Sequence, residues 1–172
     1  MSQALLDQGK LEEALRYYSK ALEKEMCASN PDQIKIAKYN THIGEIYYRQ
    51  QHYSKALEFY KKGLEIQLTA VPSNDSSLII TYNNIAQVYY FLGSYQEAID
   101  YIKLKLEIQE NLLSANHLDF GETYDNLAKV LCEQGNLEES LEYVRKAYEI
   151  RSKHLSADHQ DVIDSLEGIA LL

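Results

Sequence analysis

A 42-residue period runs through the chain, and it limits the possible folds more than any other feature. Two ladders of mostly small residues and one ladder of aromatic or aliphatic residues share the same spacing. The three ladders are Ala14, Ala56, Ala98 and Ser140; Gly44, Ala86, Ala128 and Ala170; and Leu5, Tyr47, Tyr89 and Leu131. Since no insertion interrupts them, the sequence predicts stacked copies of one supersecondary unit.

Each copy reads as two helices. Apolar residues recur at the i, i+3, i+4 and i+7 spacing of an amphipathic helix in residues 40–50, 82–92 and 124–134. The second segment of each copy has the same spacing, and the whole chain of 172 residues contains only seven Gly and two Pro. We therefore predict an all-α fold of antiparallel helix pairs.

The register of the ladders divides the chain into units of one array. We expect a partial first unit in residues 1–32, full units in 33–74, 75–116 and 117–158, and a truncated first helix of a fifth unit in 159–172. Because a helix pair cannot bury both of its faces alone, stacking of the units is obligatory.

Turns and loops recur in the same register. Within the units, the turn positions are Gly9, Gln51, Gly93 and Gly135. A left-handed residue is expected at each, and at Gln51 this costs about 1 kcal/mol. Between the units, residues that favour the helix N-cap recur, and we predict that each caps the next helix. These are Asp32, Asn74, Asn116 and Asp158.

Charge and composition exclude several classes of partner. A net charge of −9 argues against nucleic acid or an anionic membrane, because phosphate groups need clustered Lys and Arg. The sequence has no apolar run of the ~20 residues that a membrane span needs, and no signal peptide at its start. Cys27 and Cys132 form no metal or redox spacing, which favours a reducing, cytoplasmic location.

The ladders resemble the tetratricopeptide repeat. The matching residues are Asn83, Asn84, Ile85 and Ala86 with Tyr89 and Gly93, then Leu106, Glu107 and Ile108, and Asp158 and His159 after Leu155. The usual tetratricopeptide repeat is shorter, at about 34 residues. The 42-residue form resembles the repeats of kinesin light chains and related adaptor proteins. The resemblance implies that the helix pairs stack into a right-handed superhelical solenoid. It also implies a non-catalytic scaffold that binds a protein or peptide ligand in its concave groove.

No residue pattern points to catalysis. A Gly-rich phosphate loop, an HExxH motif and a GxSxG motif are all absent from the sequence. His117 and His159 are one repeat apart, so structural repetition explains both. We expect no enzyme activity, no cofactor and no metal site.

The resemblance also implies a peptide-binding groove, since first helices line the concave surface of such arrays. By register, the groove-facing residues are Lys38, His42, Glu45, Tyr48, Arg49, Asn83, Asn84, Gln87, Tyr90, Phe91, Asp125, Asn126, Lys129 and Glu133. Asn84 and Asn126 fall where family members present an amide to a bound peptide backbone, and an amide both donates and accepts hydrogen bonds. The alternative is that these asparagines only order the groove surface or the helix ends.

Two further expectations concern the partner. In the 42-residue unit of residues 33–74, Lys38 and Arg49 oppose Glu45. The unit of residues 117–158 is mainly acidic at the equivalent positions. We therefore expect a ligand that is acidic toward the first half of the groove and basic toward the second. The alternative function is a structural or self-associating segment, in which the truncated array ends, such as the apolar residues 168–172, join copies.

Overall fold

The described part of the chain is entirely helical. A computed structural model describes residues 10–72 and 75–171, which form eight α-helices and no strand. The helices are α1 (Leu11–Met26), α2 (Gln33–Arg49), α3 (Tyr53–Ala70), α4 (Ser77–Phe91), α5 (Tyr95–Leu112), α6 (Asp119–Gln134), α7 (Leu137–His154) and α8 (Gln160–Leu171). The all-α class predicted from the repeat is confirmed, whereas the boundaries of the 42-residue units stay a prediction.

The chain divides into two compact units. The first, Met1–Leu92, contains α1 to α4, and the second, Gly93–Leu172, contains α5 to α8. In the first unit α1 packs on α2, α2 on α3 and α3 on α4. In the second unit α5 packs on α6, α6 on α7 and α7 on α8. Short turns reverse the chain after α2 and α6, so consecutive helices form the expected pairs.

The contact between α1 and α2 shows how the periodic apolar residues are used. Ala14 and Tyr18 of α1 pack with Ile43 and Ile46 of α2, and each of the four is at most 5% exposed. On each helix the two residues are three or four positions apart, so they lie on one face. Burial of each large side chain here stabilises the fold by about 1.5–3 kcal/mol relative to an exposed position.

The predicted left-handed turns are present in the described residues. Gln51 has φ 61°, and Gly93 and Gly135 have φ 74° and 91°. After α2, the N–H of Gln51 donates to the carbonyl of Tyr48 at 2.9 Å, and the N–H of His52 donates to Tyr47 at 2.9 Å. This pair of bonds satisfies carbonyls at the helix end and requires a left-handed residue. The prediction for Gln51 is therefore confirmed, and Gly9 lies outside the described residues.

Small residues allow two helix pairs to approach closely. A Cβ atom built on Gly44 of α2 would lie 2.7 Å from Cδ1 of Tyr60 on α3, closer than real Cβ contacts allow. In the second unit, Oγ of Ser140 on α7 donates a hydrogen bond of 2.7 Å to the carbonyl oxygen of Ala128 on α6. In both pairs, small residues of the two ladders thus lie where the helices approach closely.

The expected N-caps are right at one position and wrong at two. Asp32 accepts a hydrogen bond from the N–H of Lys35 at 3.1 Å and caps α2. Asn116 does not cap α6; its side chain instead accepts from Nζ of Lys153 at 3.2 Å. Asp158 precedes α8 by two residues and interacts with Ser156 in the loop. Asn74 lies outside the described residues.

Candidate functional site

The first helix of each predicted pair carries the residues expected to bind a peptide. In the first unit they are Lys38, His42, Glu45, Tyr48 and Arg49 on α2, and Asn83, Asn84, Gln87, Tyr90 and Phe91 on α4. In the second unit they are Asp125, Asn126, Lys129 and Glu133 on α6. Each of them keeps part of its surface accessible, whereas Ile43, Ile85 and Leu127 of the same helices are buried. These residues are therefore accessible on their helices, and their position in a peptide-binding groove stays a prediction.

The first unit contains a cavity of about 610 Å³ between α2, the end of α3 and the start of α4. Lys38 and His42 border it, together with the apolar side chains of Ile34 and Ile80. Ile80 is 64% exposed, so its side chain is accessible to a partner that enters the cavity. The volume falls within the range of roughly 300–1,000 Å³ that is typical of ligand pockets. The cavity is thus large enough for more than one side chain of a partner.

His42 has an unusual environment beside this cavity. Its ring stacks on Tyr18 of α1, with centroids 4.6 Å apart and planes at 23°. Its Nδ1 atom is buried and finds no hydrogen-bond partner among the described residues. Burial lowers the pKa of His42; Glu45 opposes this change and Lys38 reinforces it. Burial therefore favours the neutral form of the imidazole.

Four aromatic rings form a cluster where α2 and α4 end and α3 begins. Phe91 stacks on Tyr53, with centroids 5.1 Å apart, and lies edge-on to Tyr48 at 5.8 Å. Tyr90 meets Phe91 edge-on at 5.4 Å. Phe91 remains 49% exposed, and burial followed by the proximity of Tyr53 raises the pKa of Tyr48. Of these rings, sequence reasoning missed Tyr53, which lies on the second helix of its pair.

Arg49 is not an isolated cation. Its guanidinium donates to Oε1 of Glu45 through both Nε, at 3.1 Å, and Nη2, at 2.7 Å. Both side chains are partly exposed, so the pair adds little to stability. An acidic group of a ligand at this point has to compete with Glu45 for the guanidinium.

A repeated hydrogen bond links the second helix of one pair to the first helix of the next. In the first unit Oγ1 of Thr81 donates to Oε1 of Gln67 at 2.7 Å. In the second unit Oγ1 of Thr123 donates to Oε1 of Gln109, also at 2.7 Å. The two pairs are one repeat apart in the sequence, so these two repeats satisfy equivalent polar atoms in the same way.

Arg151 takes the next position in this series and changes its chemistry. Its Nη1 donates to Oγ of Ser165 at 2.7 Å, and its Nη2 pairs with the carboxylate of Asp125. Gly121 leaves room for the larger side chain, since an added Cβ would lie 3.3 Å from Nε of Arg151. These groups border a second cavity, of about 330 Å³, that Lys129 also lines. Sequence reasoning missed Arg151, although the repeat series Gln67, Gln109 and Arg151 marks it as an exception.

The contacts of Asn84 and Asn126 with a peptide stay a prediction. Both side chains are partly accessible on the helix faces described above. Their position in the repeat is the one that His42 occupies in α2.

Other site types find no support in the described ranges. There, no group of three His, Cys, Asp or Glu side chains is placed to hold a metal ion. Cys27 and Cys132 are both exposed and form no disulfide. None of the described helices combines the length and apolar character that crossing a membrane requires.

Comparison with known proteins assigns the family. The tetratricopeptide repeat family model matches residues 1–69, 77–153 and 119–172. No sequence among curated proteins matches the chain significantly.

Solved structures agree with this assignment. A crystal structure of a Podosopora anserina putative kinesin light chain with nearly identical TPR-like repeats superposes with a TM-score of 0.86 at 18% identity, covering 99% of this chain and 81% of that one. BtubC (BKLC) from P. vanneervenii gives 0.87 at 18% identity, covering 99% and 68%. The apo form of RapI gives 0.80 at 23% identity, covering 99% and 46%.

At these identities the structures show the fold alone. They confirm the resemblance to kinesin-light-chain-like repeats that residues such as Asn84, Ala86 and Gly93 carry. Proteins of this kind are in general interaction scaffolds and are typically non-catalytic. The chain belongs to the tetratricopeptide repeat family.

Proposed function

We propose that this chain is a non-catalytic, cytoplasmic interaction module that binds a peptide segment of a partner protein along the first helices of its repeats. The observation that carries the proposal is the cavity of about 610 Å³ bordered by Lys38 and His42, two residues selected from sequence alone. An accessible cavity with apolar walls and a few polar groups is the usual form of a binding site.

The asparagines supply a general means of holding a peptide. A carboxamide offers one acceptor and two donors, so Asn84 and Asn126 can pair with the N–H and C=O groups of an extended backbone. Backbone pairing holds a segment without selecting its sequence. Selection then rests with the side chains that border each cavity, such as Ile80 in the first unit and Asp125 in the second.

The charges of the predicted contact residues suggest how the ligand is oriented. The predicted contacts of α2 include Lys38 and Arg49, whereas those of α6 include Asp125 and Glu133. We infer a ligand with acidic groups toward α2 and basic groups toward α6.

A displayed peptide library selected on the purified chain tests the proposal. We expect selected peptides to bind at least about tenfold more weakly to the double variant Asn84→Ala, Asn126→Ala, which corresponds to about 1.4 kcal/mol. A matched variant, Glu65→Ala with Glu149→Ala, changes two exposed residues of second helices and should keep full affinity. Equal binding by all three proteins would refute groove binding.

Charge-reversal variants test the direction of the ligand. Arg49→Glu should select peptides with fewer acidic residues, and Glu133→Lys should select peptides with fewer basic residues. Selections that recover the same sequences from both variants and from the original chain would contradict the inferred charge pattern.

A second candidate function is self-association, which exposed apolar residues of α8 favour. Leu166 is 45% exposed and Leu171 is 86% exposed. Sedimentation at increasing concentration distinguishes the two functions. A mass that doubles with concentration, and returns to the monomer value in Leu166→Gln with Leu171→Gln, would support self-association.

A further inference from the structure

Two histidines one repeat apart hold the first turns of α6 and α8. Nδ1 of His117 accepts a hydrogen bond from the backbone N–H of Asp119 at 3.3 Å. Nδ1 of His159 accepts from the N–H of Asp161 at 3.2 Å. N–H groups in the first turn have no carbonyl partner within their own helix. Each imidazole therefore acts as a capping side chain.

The first unit makes the same bond with a different acceptor. Asp75 stands one repeat before His117, and its Oδ1 accepts from the N–H of Ser77 at 2.8 Å. The hydrogen bonds from Ser77 lower the pKa of the Asp75 carboxyl. A carboxylate thus accepts throughout the neutral and mildly acidic range, whereas an imidazole nitrogen accepts only while it carries no proton.

We propose that the loops before α6 and α8 form a pH-sensitive device, in which protonation of His117 and His159 releases the first turns of these helices. The neutral rings carry their proton on Nε2. When Nδ1 takes up a proton it becomes a donor, and the N–H groups of Asp119 and Asp161 turn to water. The protonated Nδ1 atoms then face the side-chain carboxylates of the same aspartates, at 3.5 Å and 3.9 Å.

Charged groups of the neighbouring elements surround each ring differently. Beside His117, Lys153 and His154 of α7 reach the loop through Asn116, with Nζ 3.2 Å from its Oδ1 and Nε2 2.7 Å from its carbonyl oxygen. Asp119 adds a carboxylate at the start of α6. These three side chains therefore form the charged surroundings of the loop that carries His117.

The loop before α8 has a simpler environment. Asp158 and Asp161, both from the same loop and first turn, interact with His159. The chain therefore supplies two versions of one device and, at Asp75, a version that does not titrate near neutrality.

Nuclear magnetic resonance of the full chain tests the device between about pH 8 and pH 5, the range in which histidine titrates. At pH 8 both rings should show the tautomer with the proton on Nε2. At pH 5, solvent exchange of the Asp119 and Asp161 amides, corrected for intrinsic rates, should rise about fivefold, as loss of one hydrogen bond predicts. The Ser77 amide should keep its protection throughout.

The control variant replaces both histidines with aspartate, the residue found at the equivalent position 75. In His117→Asp with His159→Asp, protection of the Asp119 and Asp161 amides should become as insensitive to pH as that of Ser77. Rings protonated on Nδ1 at pH 8, or unchanged protection of these amides at pH 5, would overturn the proposal.

Discussion

Gln51 and Gly135 occupy the same turn position two repeats apart, and both take a left-handed backbone, with φ 61° and 91°. Glycine adopts this conformation without a steric penalty, but a residue with a Cβ does not. We expect Gln51→Gly to raise the free energy of unfolding by about 1 kcal/mol. Thermal unfolding measures this as a rise of roughly 2–4 °C in Tm.

The adjacent residue is the control for this change. Gln50 has φ −81°, which any residue adopts, so Gln50→Gly should lower Tm through added freedom of the unfolded chain. A Tm for Gln51→Gly equal to or below that of the original chain would contradict the strain at this turn.

Gly44→Ala should destabilise the chain, although alanine in place of glycine usually stabilises a helix by about 1 kcal/mol. The new Cβ would lie 2.7 Å from the ring of Tyr60, which is itself 2% exposed and has little space to move. Overpacking of this kind costs about 1–3 kcal/mol. Urea denaturation decides the sign, and a gain in stability would mean that α2 and α3 separate at little cost.

The pairing of Arg151 with Ser165 and Asp125 predicts a graded set of variants. Arg151→Ala should lower the free energy of unfolding by about 1–3 kcal/mol, because it leaves the largely buried Ser165 without this bond. Arg151→Gln restores the residue found at the equivalent position 109 and should recover part of the loss. Chemical denaturation of both variants, with the exposed Arg145→Ala as reference, checks the order.

His42 predicts a loss of stability at acidic pH. Burial, opposed by Glu45 and reinforced by Lys38, lowers its pKa from 6.5 in the folded chain. As pH falls below 6.5, the unfolded chain therefore binds a proton before the folded chain does, and the free energy of unfolding decreases. His42→Asn, which places the residue of α4 and α6 in α2, should lose less stability on acidification than the original chain. Urea unfolding at pH 8 and at pH 5 measures this loss of free energy for each protein. An equal loss in the variant and in the original chain would contradict the linkage.

Lys105 stands where the other repeats have Ala21, Gly63 and Ala147, and its side chain is only 5% exposed. Burial lowers its pKa, while Glu122, with Oε1 3.5 Å from Nζ, opposes this change. We expect Lys105→Met to raise the free energy of unfolding, because the apolar chain fills the same space and Glu122 is 70% exposed to water. Thermal unfolding measures the change, and a large fall in Tm would show that the ammonium is needed.

The fold was predictable because the same apolar spacing and the same small-residue positions recur in each repeat. The turn at Gln51 was recognisable only from Gly93 and Gly135, since no local rule places a left-handed glutamine. Two of the predicted N-caps were wrong for a related reason. Asparagine at 116 has a strong local preference for capping, but the loop geometry presents His117 to the helix instead.

The accessibility of the candidate residues was predictable from the sequence, whereas their side-chain contacts were not. Helical periodicity placed Tyr48 and Phe91 on accessible faces, because periodicity depends only on spacing along the chain. The pairing of Arg151 with Asp125 joins residues 26 positions apart through the packing of α6 on α7. Such a contact depends on the distance between the two helices, and the small-residue ladders indicate only that this distance is short.

The space that Gly121 leaves for Arg151 also governs how such a chain can lengthen. A repeat with interchangeable helices can be duplicated from any point, but α7 carries a side chain that packs closely against a glycine. The equivalent residues on α2 and α4 are Ala37 and Ile79, whose side chains would crowd the guanidinium. Arg151 therefore keeps all of its contacts only when α6 and α7 are transplanted together and are followed by a helix that offers the hydroxyl of Ser165.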